Sequence, residues 1–284
     1  MINAYAVSKA KGRFQRIEYD PGALGPDQVE INVIACGLCH SDLSMVDNEW
    51  GDSEYPLVPG HEVVGKIGQV GVNVKHLKVG DTVGLGWFSG SCQTCHVCLR
   101  GDHNLCADAE QTIVGHHGGF ADKVRCQAMW ATPLPAGLDV LKAGPLLCAG
   151  ITVFNPLVQF DVRPTQRVGV IGIGGLGHLA LKMLNKWGCE VTAFTSTDAK
   201  RDAATQMGAH HVVNSRHASQ LSRCAPGRAK RWRVVRGHRA SRGVEPLWAG
   251  RCLAGPQGGR GLRSRTNAPC PKAQGRLGCP VAHY

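Results

Sequence analysis

The stretch Arg167-Val168-Gly169-Val170-Ile171-Gly172-Ile173-Gly174-Gly175-Leu176-Gly177-His178 decides the fold of this chain. Five residues of compact apolar strand run into Gly-x-Gly-x-x-Gly, and a helix-period segment from His178 to Trp187 follows. In that setting the three glycines act differently. Gly172 permits a tight turn, Gly174 lets a pyrophosphate approach the backbone, and Gly177 lets helix pack on strand. The helix N-terminal amides then face the phosphates. Taken alone the pattern is weak, because a glycine-rich packing turn reads the same. Between a strand and a helix it predicts dinucleotide binding at Gly172, Gly174, Gly175, Leu176 and Gly177.

Downstream, Val191-Thr192-Ala193-Phe194 reads as a second strand, Asp198 to Met207 as a helix and Val212-Val213 as a short third strand. That alternation requires parallel strands with crossover helices. The end of the second strand selects the nucleotide, since an NAD site places an acid there for the ribose hydroxyls. Here it reads Thr195-Ser196-Thr197, with Lys200 and Arg201 close behind. Asp198 falls one step late and is expected to cap the next helix. Small hydroxyls and cations suit a 2′-phosphate, so NADP is expected, held by Thr195, Ser196, Thr197 and Lys200.

Upstream the rhythm is different. Val29 to Ala35 alternates and is β-branched, and it runs directly into Cys36-Gly37-Leu38-Cys39-His40. Val63 to Ile67 and Asp81 to Leu85 follow between Gly and Pro turns, which predicts an all-β module over roughly the first 130 residues.

Cys92, Cys95, Cys98 and Cys106 lie in a loop rich in Ser, Gly and His. Four thiolates so closely spaced suit a tetrahedral structural zinc. An iron–sulfur cluster would want three residues between the third and fourth cysteines and Pro after the fourth, whereas seven lie between Cys98 and Cys106 and Ala107 follows. His96 and His103 in the same loop are expected to face solvent. Cys39, His61 and Cys148 are scattered through the sequence; Cys-His-Cys is a known catalytic zinc set, but spacing alone does not pick them out, since a lone histidine beside a Glu is more often structural and Cys148 after two leucines reads by itself as a core cysteine. Cys36, Cys126 and Cys189 read as core residues.

The 284 residues are 43% hydrophobic and 19% charged, enough for one large core or two modest ones. No apolar run approaches a membrane span. The N-terminus lacks a basic stretch feeding an apolar one, so a reducing, cytoplasmic setting is expected for the 13 cysteines. The net charge of +11 suggests nucleic acid until it is divided. Residues 221–284 hold 14 of the 32 basic and one of the 21 acidic residues, a net +13 against −2 for the rest. That segment is Arg-, Gly- and Pro-rich with few large aliphatic residues, a composition expected of disorder.

Together, Gly37-Leu38-Cys39-His40-Ser41-Asp42, Pro59-Gly60-His61-Glu62, the four-cysteine lobe, Leu146-Leu147-Cys148-Ala149-Gly150-Ile151-Thr152 and the glycine loop resemble the zinc-dependent medium-chain alcohol dehydrogenases. Within that family they resemble most the branch of NADP-dependent cinnamyl-alcohol-dehydrogenase-like aldehyde reductases. The resemblance implies a mixed β and α/β chain. A GroES-like catalytic domain would span residues 1–150, its structural zinc lobe residues 90–107, and a partial Rossmann domain residues 151–220. It further implies two zincs per chain, the catalytic one on Cys39, His61 and Cys148, with NADP(H) and a small alcohol or aldehyde as reactants. Ser41 would pass a proton, Asp42 would orient His61, Glu62 would sit behind the metal or transiently ligate it, and His40 and Thr152 would face the cofactor. Trp50, Trp87 and Phe88 would line an aromatic-tolerant pocket.

Two departures accompany the resemblance. Where the family continues its proton relay with a histidine five residues after the first ligand, this chain has Ser44, so the relay is expected to end in water. No further Rossmann strand is legible after Gln220. Residues 221–284 are therefore expected to be out of frame or otherwise aberrant, the activity weak or absent, and the family's homodimer unsupported. A zinc-ribbon nucleic-acid binder with a basic tail is the competing class, and an inactive dehydrogenase remnant the third. The first explains the charge but not Cys39, His61, Cys148 or the glycine loop. No specific nucleic acid and no membrane partner is expected.

Overall fold

In the computed structural model, which describes residues 1–217 and 233–236, the chain opens with a hairpin of β1 (Ile2–Ala6) and β2 (Gln15–Tyr19). Ile2, Ala4 and Ala6 of β1 point inward, as strand alternation demands. Next come β3 (Gln28–Cys36), α1 (His40–Val46), β4 (Val63–Val70), β5 (Thr82–Leu85) and β6 (Phe88–Gly90). The short α2 (His96–Leu99), β7 (Glu110–Gln111), β8 (Lys123–Gln127), β9 (Thr132–Pro133) and α3 (Val140–Ala143) complete the module.

Its main sheet is antiparallel in the order β8-β3-β4-β5-β9. Val29, Ile31, Val63, Ile67, Val83 and Val124 fill its buried face. The β3–β4 register shifts between Val33 and Ala35. An irregularity of that kind bends a strand end, and this one lies just before the turn that carries Cys39.

The second module begins with α4 (Ala149–Gln159), followed by β10 (Arg167–Ile171), α5 (Gly175–Trp187), β11 (Glu190–Thr195), α6 (Arg201–Gln206) and β12 (His211–Asn214). The strands are parallel in the order β12-β11-β10-β13, the last being Arg233–Arg236. Val168, Val170, Val191 and Ala193 line one face of this sheet, Gly169 and Thr192 on the other face are buried as well, and Leu181 and Leu184 of α5 belong to the same core. Near-continuous apolar runs are what such a doubly covered parallel sheet requires.

The expectation that strand alternation stops at Gln220 is corrected at one point, because β13 pairs with β10 along Val168 to Ile171. Strand pairing is a backbone matter, and the weakly apolar sequence there gave no period to read. Residues 218–232 and 237–284, on which the aberrant-tail and nucleic-acid readings rest, lie outside the described residues. The boundary at 150 falls inside α4, whose Val153 and Leu157 belong to the core of the second module. Among the described residues no single helix is long and apolar enough to cross a membrane.

One buried acid helps hold the first sheet together. Glu30 of β3, 3% exposed, takes Arg125 Nε at 2.9 Å and Lys123 Nζ at 3.1 Å, both from β8. Burial raises its carboxyl pKa, but hydrogen bonds from Arg125 and Lys123 outweigh that and hold it below the usual value. A depressed folded pKa contributes stability that is present above the unfolded carboxylate value and is lost as pH falls through the folded one. Glu30→Gln is expected to cost about 2 kcal/mol in urea unfolding at neutral pH. The difference from the parent should shrink on acidification through the carboxylate range, and a constant difference would contradict this assignment.

Candidate functional site

Cys39 is the N-cap of α1, in extended conformation, so its sulfur projects from the bend between β3 and the helix. His61 enters from the segment before β4, where Gly60 has φ +103°, a conformation that favours glycine. Cys148 is the N-cap of α4. The three side chains meet: Cys39 Sγ lies 3.8 Å from Cys148 Sγ, and His61 Nε2 lies 3.3 Å from Cys148 Sγ. A carboxylate oxygen of Glu62 joins them, all four donor atoms being within 4.8 Å of one another.

Asp42 orders this cluster. Its Oδ1 accepts from Gly60 N–H at 2.9 Å and lies 2.9 Å from His61 Nδ1, while Oδ2 accepts from Cys39 N–H at 3.0 Å. A carboxylate on Nδ1 leaves Nε2 as the ligating nitrogen. Trp87 stands edge-on to the imidazole, ring centres 5.0 Å apart, and Trp50 continues the contact at 5.9 Å.

The charges are strongly coupled. The hydrogen bond from Cys148 lowers the Cys39 pKa to about 3, aided by His61 and opposed by burial, and the Cys148 thiol is correspondingly pushed up. Burial would lower the His61 pKa, yet hydrogen bonds to Asp42 and Cys39 lift it to about 9. Burial, then the Cys39 charge, raises Glu62. Donors crowded until they compete for protons are what a divalent cation relieves by replacing those protons.

The four-cysteine loop closes in the same way. Cys92 Sγ lies 3.9 Å from Cys98 and 3.5 Å from Cys106, and Cys95 lies 3.9 Å from Cys106. Thiolates at about 2.3 Å around a tetrahedral zinc stand roughly 3.8 Å apart, so both clusters have the dimensions of a zinc site. The second holds four sulfurs; the first offers two sulfurs, one nitrogen and a carboxylate oxygen.

At the glycine loop, Gly172 has φ +86° and a Cβ on Gly177 would overlap the Gly172 carbonyl. A Cβ on Gly174 or Gly175 would meet open space. Gly174 caps α5 without a side-chain bond, and its carbonyl takes the His178 amide at 2.9 Å. The amides of Gly175, Leu176 and Gly177 are thus the free N-terminal donors of the helix, beside space for a pyrophosphate. Lys200 is drawn to this loop, its Nζ 3.0 Å from the Ile173 carbonyl.

Several expectations are revised by the geometry. Thr197, not Asp198, caps the helical turn, accepting from Ala199 N–H at 3.1 Å. Asp198 instead pairs with Asn214, Arg201 and His217, lying 2.9 Å from Asn214 Nδ2. Thr195 is buried, and its hydroxyl donates inward to the Thr197 carbonyl at 2.8 Å, leaving Ser196 and Lys200 as the exposed pair at the strand end. Phe88 packs on Trp130 at 5.4 Å, away from Trp50 and Trp87, because adjacent strand residues face opposite ways. His103 is half-buried and lies 3.4 Å from Ser91 Oγ, whereas His96 is exposed. Ser44 is fully buried and donates to Glu49 Oε2 at 2.9 Å, so its hydroxyl meets a carboxylate, not water. Ser41 and Thr152 are half-buried and His40 is exposed. Cys126 and Cys189 are core residues, while Cys36 is only half-buried.

Comparison with known proteins agrees with this geometry. Residues 25–136 match the alcohol dehydrogenase GroES-like domain and residues 175–229 the zinc-binding dehydrogenase domain. The aldehyde reductase AdhA of Synechocystis is 59% identical over 222 residues, covering 78% of this chain and 66% of the relative. Among solved structures, a Sorghum bicolor cinnamyl alcohol dehydrogenase superposes with a TM-score of 0.74 at 38% identity, over 78% of this chain and 66% of that one. The CAD from Helicobacter pylori complexed with NADP(H) gives 0.71 at 32% identity, over 75% and 64%. The chain spans about two thirds of the length of these relatives.

Because Asp42 fixes His61 through Nδ1, Asp42→Ala is expected to weaken metal retention at the Cys39 cluster about 10- to 100-fold. Zinc counted after dialysis against a weak chelator should fall from two per chain to one, the four-cysteine zinc remaining. Retention of both would remove Asp42 from the assembly of the site.

Proposed function

We propose, from the premise that this chain belongs to the zinc-dependent alcohol dehydrogenase family, that it interconverts primary alcohols and aldehydes with NADP(H), using Cys39, His61 and Cys148 as ligands of a catalytic zinc. The observation that carries the reading is the convergence of three donors from distant segments on one cluster, with Asp42 bonded behind the imidazole. The name of the Synechocystis relative, an aldehyde reductase, and the NADP(H) complex of the Helicobacter pylori protein support the reaction class and the cofactor.

When bound, zinc supplies Lewis-acid polarisation of the reactant oxygen, and the nicotinamide carries the hydride. The protein's part is placement. Asp42 holds His61 in the ligating tautomer and ties the Cys39 turn to the Gly60 turn. Ser41, two residues beyond the first ligand, hands a proton to the reduced oxygen or takes it away in oxidation. Cys148 and Thr152 sit one helical turn apart on α4, so the ligand and a residue beside the nicotinamide share one rigid face. Trp50 and Trp87 make the approach aromatic and favour flat or aromatic aldehydes. The loop amides hold the pyrophosphate, and Ser196 with Lys200 receives the 2′-phosphate. The six thiol ligands call for a reducing compartment, in keeping with a cytoplasmic location.

Zinc-loaded protein should show NADPH-dependent loss of cinnamaldehyde. Ser41→Ala should lower kcat about 100-fold while zinc content and NADPH binding stay at parent values. An unchanged kcat would remove Ser41 from the proton path. Lys200→Ala should weaken NADPH binding by about tenfold and leave NADH binding unchanged, as measured by nicotinamide fluorescence. Equal losses for both nucleotides would contradict the 2′-phosphate assignment.

A further inference from the structure

The turn after β11 carries an acid, Asp198, between Ser196 and Lys200, the two residues assigned above to the 2′-phosphate. An acid near a strand end is what an NAD site uses to accept the ribose hydroxyls, and a carboxylate facing a 2′-phosphate would repel it. The direction of this one side chain therefore matters to the choice of nucleotide. Lys200 reaches from the turn towards the glycine loop after β10, its Nζ 3.0 Å from the Ile173 carbonyl. Asp198 is drawn the other way. Its Oδ2 accepts from Asn214 Nδ2 at 2.9 Å and lies 3.5 Å from His217 Nε2, and its Oδ1 accepts from Arg201 Nη2 at 3.4 Å. The sheet runs β12-β11-β10, and Asn214 ends β12 in register with Thr195, the last residue of β11. The glycine loop and Asn214 thus lie on opposite flanks of β11.

The partners that hold Asp198 are themselves held. Asn214 is buried to 4% exposure, and its Oδ1 accepts from the Arg216 amide at 3.1 Å. Arg201 donates through Nη1 to the Val212 carbonyl of β12 at 3.0 Å. The turn itself is braced by the Thr195 hydroxyl on the Thr197 carbonyl and by the Ala199 amide on the Thr197 hydroxyl. What remains free to rotate is the exposed Asp198 side chain, once its partners let go. The Asn214 hydrogen bond, opposed by burial and aided by Arg201, holds the carboxyl below its usual value, so the acid is charged at neutral pH.

Resting on the NADP reading above, we propose that Asn214 and Arg201 are positioning residues for nucleotide choice, because they hold the Asp198 carboxylate on the β12 side of β11 and away from the ribose. Released from them, Asp198 accepts the ribose hydroxyls of NADH and repels the 2′-phosphate of NADPH. Preference for the phosphorylated nucleotide then has two parts in this chain, the attraction of Lys200 and the restraint of an acid that would otherwise oppose it.

The deciding measurement is the ratio of NADPH to NADH affinity, titrated by nicotinamide fluorescence on the full chain for the parent, Asn214→Ser, Asp198→Ala and the double variant. Serine keeps an acceptor for the Arg216 amide but is too short to reach Asp198. Asn214→Ser should lower the ratio about tenfold, NADPH binding more weakly and NADH more tightly. Asp198→Ala alone should not lower it. The double variant should match Asp198→Ala, because without the carboxylate nothing is left to release. An unchanged ratio in Asn214→Ser, including equal losses for both nucleotides, overturns the proposal and leaves the NADP reading intact, as does a fall that persists in the double variant. A parent that binds NADPH no more tightly than NADH overturns both. If Asn214→Ser does not fold, Arg201→Gln at the exposed Arg201 decides: a fall in the ratio that adding Asp198→Ala reverses supports the restraint, and any other result refutes it.

Discussion

Asp42 accepts from the Cys39 amide, from the Gly60 amide and from His61 Nδ1, so one buried carboxylate ties the start of α1 to the segment entering β4. Without these three partners the buried carboxylate would be left unpaired, which is costly. The arrangement also explains how two donors 22 residues apart come within a few ångströms of a third. The position of Cys39 follows from helix capping, that of His61 from a left-handed glycine and a hydrogen bond, and neither depends on the other's sulfur or nitrogen.

The third ligand couples this pair to the other module. Cys148 begins α4, and α4 packs on α5, the helix that rises from the glycine loop. Val153 and Leu157 of α4 are buried in the same core as Val168 and Leu181. A rigid path of packed side chains therefore links the metal ligand to the phosphate-binding turn. The position of Cys148 relative to the glycine loop is thus set by the core of the second module.

Much of this was legible because the chemistry leaves local marks. The Gly172 loop was readable from its strand and helix neighbours, and the four-cysteine lobe from its spacing, since both sites are built from contiguous chain. Cys39, His61 and Cys148 were different. Each is unremarkable in its own window, and only the ordered set of motifs in the family resemblance brought them together. The inward turn of the Thr195 hydroxyl and the burial of Ser44 against Glu49 could not be read, because both depend on which way a side chain faces after packing. β13 was missed for a related reason, since so short a strand at the end of the described sheet is specified by the one strand it pairs with.

The glycines show where such packing limits are set. At Gly172 the backbone conformation itself selects glycine, whereas at Gly37 and Gly177 the selection comes from an atom belonging to a distant or nearby partner. Sequence presents all of them alike. For Gly177 the partner is the Gly172 carbonyl, and the contact keeps the phosphate turn tight. For Gly37 it is a carboxylate beside three metal-type donors.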